Sequence, residues 1–107
     1  MKYAITIQTT DPETVWNALR FGCAAISRGH SVSVFLLGTA VEIEKIDRSK
    51  FDVGKILERF LSLGGEALSC GTCLRLRQMN ASESCPMSTM DTLVRLTEEA
   101  DRTMVFG

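Results

Sequence analysis

Residues 66–73, Glu66-Ala67-Leu68-Ser69-Cys70-Gly71-Thr72-Cys73, carry the decision about the fold. Glu66 to Cys70 has the length and apolar content of a short strand. From Gly71 on, through Leu74-Arg75-Leu76-Arg77-Gln78-Met79, the pattern turns helical. A strand that runs straight into a helix is one unit of a β-α alternation, and the same alternation continues on both sides of it.

Upstream, Tyr3 to Gln8 is a short β-rich run. Asp11 supplies an N-cap and Pro12 a first helical position, with Thr10 and Glu13 as an alternative capping box. The helix that follows runs to about Arg28. It puts Val15, Leu19, Cys23 and Ile26 on one face, with Trp16 beside them, and Gly29 ends it. Ser31 to Leu37 finishes in near-continuous apolar residues, the mark of a strand covered on both faces. Ala40 to Ile46 reads as a short helix, and Asp47 to Lys50 as a polar connector. Phe51 to Leu63 is a second amphipathic helix with Val53, Ile56, Leu57, Phe60 and Leu61 inward, stopped by Gly64-Gly65.

Downstream, Asn80 to Glu83 is polar loop, and Ser84 to Met87 is a brief strand that Pro86 restricts to a sheet edge. Ser88 and Asp91 form a capping-box signature before a helix that runs to about Ala100. Thr103 to Phe106 closes the chain as a strand. The expectation is an α/β fold: a three-layer α/β/α sandwich on a mostly parallel sheet of four to five strands, with right-handed crossovers. No repeat, low-complexity tract or linker interrupts residues 1–107, which read as a single domain.

Composition narrows the function classes. The 107 residues carry 12 Lys+Arg against 13 Asp+Glu, a net charge of -1, which argues against a nucleic-acid partner. The longest apolar runs, near Cys23 to Ile26 and Val34 to Leu37, fall far short of the ~20 residues of a membrane span. Met1-Lys2-Tyr3 leads straight into a strand pattern without a signal-peptide h-region, so a cytoplasmic protein is expected. In that compartment its 4 cysteines are reduced thiols. Neither G-x-x-x-x-G-K-[ST] nor G-x-G-x-x-G occurs, and no cofactor is expected.

In open α/β sheets, ligands bind beyond the carboxyl ends of the strands. The loops that leave those ends hold Gln8 to Thr10, then Gly38 and Thr39, then Cys70 to Cys73, and Ser88. Thr10, Gly38 and Thr39 are therefore candidate crevice residues. The single histidine, His30, sits in a helix-to-strand turn at the opposite edge and is set aside. Cys70 is the candidate nucleophile. It ends a strand and opens a helix, where backbone N–H groups and the helix dipole favour a thiolate. Gly71 and Thr72 belong to the same turn, and Arg75 and Arg77 add positive charge; these four are the candidate anion-stabilising residues. A persulfide would gain from the same surroundings.

Cys73 offers a second thiol, and the C-x-x-C spacing also reads as a thiol-disulfide redox motif. No metal is expected, since zinc needs four convergent ligands and no second C-x-x-C exists. Cys23 reads as core. Cys85 reads as either a resolving thiol or a packed residue.

Over nearly its whole length the chain resembles the DsrE/DsrF-like family. The residues that carry the likeness are Tyr3 to Gln8; Arg28-Gly29-His30-Ser31-Val32-Ser33-Val34-Phe35; Leu68-Ser69-Cys70-Gly71-Thr72-Cys73; and Met90 to Phe106. The resemblance implies a flavodoxin-like sandwich assembled as a homotrimer or hexamer. It also implies, at Cys70, a cysteine that carries a persulfide between sulfur donor and acceptor proteins. Two positions depart from the family pattern. Cys73 stands where a small residue is common, and Gln78 stands where a glycine commonly follows the family's arginine. The extra thiol fits a thiol-disulfide or persulfide-reducing variant. A non-catalytic oligomeric binding module is the third reading.

Overall fold

The computed structural model describes all 107 residues. Its strands are β1 (Lys2–Ile7), β2 (Ser31–Leu36), β3 (Glu66–Cys70), β4 (Met87–Ser88) and β5 (Arg102–Phe106), in one sheet of order β4-β3-β2-β1-β5. All four pairings are parallel. The helices are α1 (Pro12–Ser27), α2 (Val53–Ser62), α3 (Gly71–Leu76) and α4 (Met90–Glu99), with a 3₁₀ segment over Gly38–Lys45. No helix is long and apolar enough to cross a membrane.

Local chemistry sets these boundaries. The Asp11 carboxylate accepts the Thr14 N–H at 3.0 Å and starts α1. Asp52 accepts the Lys55 N–H at 3.0 Å and starts α2 at Val53 rather than at Phe51. The cap of α4 is Thr89, not Ser88: its Oγ1 accepts the Thr92 N–H at 3.2 Å. Ser88 is instead drawn into β4, beside Cys70. The edge strand is thus later and shorter than the sequence suggests. Ser84, Cys85 and Pro86 lead into it, and the Pro86 carbonyl accepts the Ser69 N–H at 2.8 Å.

Strand order and handedness together build the layers. From β1 to β4 the chain steps steadily toward one edge, so right-handed crossovers set α1, α2 and α3 on one face. The last crossover returns from β4 past three strands to β5, which sets α4 on the other face. Toward α1 and α2, the sheet presents Ile5, Ile7, Val32, Val34, Leu36 and Ala67, all buried. Tyr3 meets Phe21 of α1 with ring centroids 5.7 Å apart. Phe60 of α2 is fully buried over Gly22 of α1. On the opposite face Phe35 is buried and Ala4 shares a shallow cavity with Leu96 of α4. That face is covered thinly, since α4 has no fully buried residue.

Candidate functional site at the end of β3

The connections after β3 and β4 leave for opposite faces, α3 for one and α4 for the other. Neighbouring strands whose connections diverge open a crevice at their carboxyl ends, the usual ligand position in such sheets. Here that crevice is a cavity of about 280 Å³ lined by Cys70, Gly71, Thr72, Arg75 and residues Met87 to Met90. Cys70 and Ser88 are register partners at its base. This divergence depends on strand order, and it is why Ser88 joins the site.

Cys70 is 3% exposed and is the residue before the first turn of α3; its side chain makes no capping hydrogen bond. The early N–H groups of a helix have no intrahelical partner, and those of α3 follow Cys70 directly in the chain. Gly71 contributes through close packing against β4. It is buried, and a Cβ there would lie 3.1 Å from both Met87 Cγ and the Ser88 carbonyl oxygen. Its missing side chain lets β4 close over β3. Thr72 and Arg75 are exposed on the cavity wall, joined by a hydrogen bond from the guanidinium to Thr72 Oγ1 at 3.2 Å.

Cys73 lies one turn on, half-exposed and outside that cavity. Its sulfur accepts the Gly38 N–H at 3.2 Å. Burial pushes the Cys73 thiol up from the ordinary cysteine range. The Gly38 N–H pulls it down, the adjacent Cys70 pushes it up again by hydrogen bonding and charge, and Arg77 pulls it down. The balance raises the Cys73 thiol, which favours its protonated form beside Cys70. Arg77 serves this second thiol: its guanidinium donates to the Cys73 carbonyl at 3.1 Å and pairs with Glu42 at 3.3 Å.

The remaining candidates separate. Gly38 joins the site through its N–H, while Thr39 is exposed on the 3₁₀ segment beside it. Thr10 lines a different cavity with Pro12, Glu42, Lys45, Ile46 and Asp47. His30 lies at the amino edge, its Nδ1 2.9 Å from the Met1 amino group. Cys85 is buried in a third cavity beside Glu44, Ser82 and Met79. Burial, and then the Glu44 charge, push its thiol up to about 12. Cys23 is core, as expected.

Comparison with known proteins bears on the family and the fold. The DsrE/DsrF-like family model matches residues 1–106. The uncharacterized protein MJ0989 of Methanocaldococcus jannaschii is 30% identical over 115 residues, covering 99% of this chain and 100% of its own length. The uncharacterized protein MK0008 of Methanopyrus kandleri is 29% identical over 100 residues, covering 88% of this chain and 83% of its own. Among solved structures, the ychN protein of E. coli has a TM-score of 0.83 at 20% identity, covering 99% of both chains. A protein of unknown function from Bacteroides thetaiotaomicron, BT1422, has a TM-score of 0.76 at 16% identity, covering 97% of this chain and 93% of its own. At these identities the two structures speak to fold alone.

Proposed function

This chain belongs to the DsrE/DsrF-like family, and we propose that it is a sulfur-relay protein that carries sulfane sulfur on Cys70. The observation that carries the reading is the cavity between β3 and β4, which has Cys70 at its base and Arg75 on its wall. A thiolate is the attacking form of cysteine. Cys70 as thiolate attacks the outer sulfur of a donor persulfide, and the donor leaves as its own thiolate. Cys70 then holds one extra sulfur as a persulfide. An acceptor thiolate attacks that outer sulfur, and Cys70 leaves as thiolate. Neither step has a net redox change, so no cofactor is needed.

Each residue has a role in this scheme. The protonated Cys73 donates to the Cys70 anion, and the Arg75 guanidinium offsets the charge of the outer sulfur in the cavity. Gly71 and Thr72 form the first turn of α3, next to the reacting sulfur. Gly38 holds Cys73, and Arg77 holds the Cys73 backbone. Donor and acceptor are proteins, because Met87 and Met90 give the cavity an exposed apolar rim.

The test is mass spectrometry of each cysteine after incubation with a persulfide donor. One added sulfur is expected on Cys70 in the parent protein and no transfer in Cys70→Ser. An unmodified Cys70, or equal labelling of the variant, would overturn the reading.

A further inference from the structure

Carriage needs one thiol, and the structure builds a second with care. Gly38 adopts φ +56, a left-handed conformation, and donates its N–H to Cys73 Sγ at 3.2 Å. Arg77 holds the Cys73 carbonyl, and Glu42 holds Arg77. Cys70 is the next neighbour of the same sulfur. The cavity wall includes Cys70 but not Cys73, Gly38 or Arg77. A sulfur added to Cys70 has room in that cavity, which leaves Cys73 beside the inner sulfur, away from the outer one.

We infer that Cys73 is a resolving thiol, which discharges an untransferred Cys70 persulfide as hydrogen sulfide. The inference rests on the carrier reading above. Cys73, on losing its proton, attacks Cys70 Sγ and forms the Cys70–Cys73 disulfide. The bond between Cys70 Sγ and the outer sulfur breaks, and the outer sulfur departs with the electron pair. The proton from Cys73 goes to that sulfur, which leaves as HS⁻. The two cysteines are oxidised and the sulfane sulfur is reduced, so no outside reductant enters the step. An external dithiol then restores both thiols.

The groups that face the Cys73 sulfur set the timing: Cys70 from β3, the Gly38 N–H from the 3₁₀ segment, and Arg77 of the α3 turn backed by Glu42. Their balance with burial keeps Cys73 protonated near neutrality, so a loaded Cys70 persists long enough to meet an acceptor. The Cys73 proton passes to the anionic outer sulfur within the pair, so discharge keeps the same rate with pH while the persulfide is ionised and Cys73 is protonated.

The experiment loads the parent protein, Cys73→Ser and Cys73→Ala with inorganic polysulfide and removes the excess. Intact mass and released sulfide are then followed without an acceptor. The parent should lose the added sulfur, release an equal amount of sulfide and end lighter than the reduced chain by two hydrogens. Both variants should stay loaded at least about tenfold longer, because only a thiolate can attack. A parent that loads on Cys70 and holds its sulfur as long as the variants overturns the inference alone. So does sulfide release without a Cys70–Cys73 disulfide, which the parent's own mass decides without any variant. Failure of every form to load Cys70 overturns the carrier reading, and the inference falls with it.

Discussion

Three cysteines near the carboxyl edge differ through their surroundings rather than their spacing. Cys70 opens on the cavity, Cys73 sits under the Gly38 N–H, and Cys85 is sealed beside Glu44. The environment of Cys85 makes it a poor nucleophile and gives it a stability signature. Its folded value of about 12 lies above the ordinary 9.0, so the folded state favours the neutral thiol. That contribution is fully present below the unfolded value and is lost as pH rises toward the folded one. Between pH 9 and 12 the parent should therefore lose stability more steeply than Cys85→Ala, as read from urea midpoints across that range. Equal slopes would show that Cys85 ionises freely in the folded chain. Iodoacetamide at pH 8 should also leave Cys85 unmodified in the folded protein.

At the scale of elements, α3 stops at Leu76 because Gln78 adopts φ +52, the one non-glycine residue in the left-handed region. That conformation crowds a Cβ and costs about 1–2 kcal/mol, against roughly 0.5–1 kcal/mol of extra unfolded-chain entropy for glycine. Gln78→Gly should therefore stabilise the fold by about 0.5–1 kcal/mol, measured by urea denaturation; a loss of stability would show that the Gln78 side chain compensates. Sequence reading marks Gln78 as a departure from a family glycine, but it carries the helix on to Met79, because nothing local announces the turn. The same limit applies elsewhere. Capping residues and strand cores are local chemistry, so Asp11, β2 and β3 were legible. The small face of α1, with Ala18, Gly22 and Ala25 buried, was not: a helical wheel weighs large apolar side chains, whereas here the Gly22 gap is filled by Phe60 of α2. Cys70 was legible from its strand-end position. Gly38 N–H reaching the Cys73 sulfur, 35 residues away, was legible only as two loops on one edge. Thr10 lies on that edge too, yet the 3₁₀ segment draws it into another cavity with Glu42 and Asp47.

At the scale of the whole molecule, the sheet is covered unequally. One face is packed by α1 and α2. The other carries only α4, none of whose residues is fully buried, while Val94 of α4 is 50% exposed and Val105 of β5 is 70% exposed. β5 is also an edge strand, with one side of its ladder unpaired. We propose a second copy of the chain as the partner of this surface, since a net charge of -1 offers little repulsion between copies. The protein should run as a trimer or hexamer of its 11.8 kDa chain by light scattering. Val105→Asp and Val94→Asp should each shift it toward monomer, because both residues are exposed in the single chain and have little packing there to lose. A parent protein that scatters as a monomer at all concentrations would overturn the expectation. So would a variant that unfolds rather than dissociates, because it would mean that Val94 and Val105 serve the core of one subunit. Assembly also bears on the relay. Met87 and Met90 rim the Cys70 cavity, so if the α4 face closes against a neighbour, partner proteins must approach from the β4 edge. Dissociating variants should then keep persulfide loading from inorganic polysulfide while changing their rate of exchange with a protein donor.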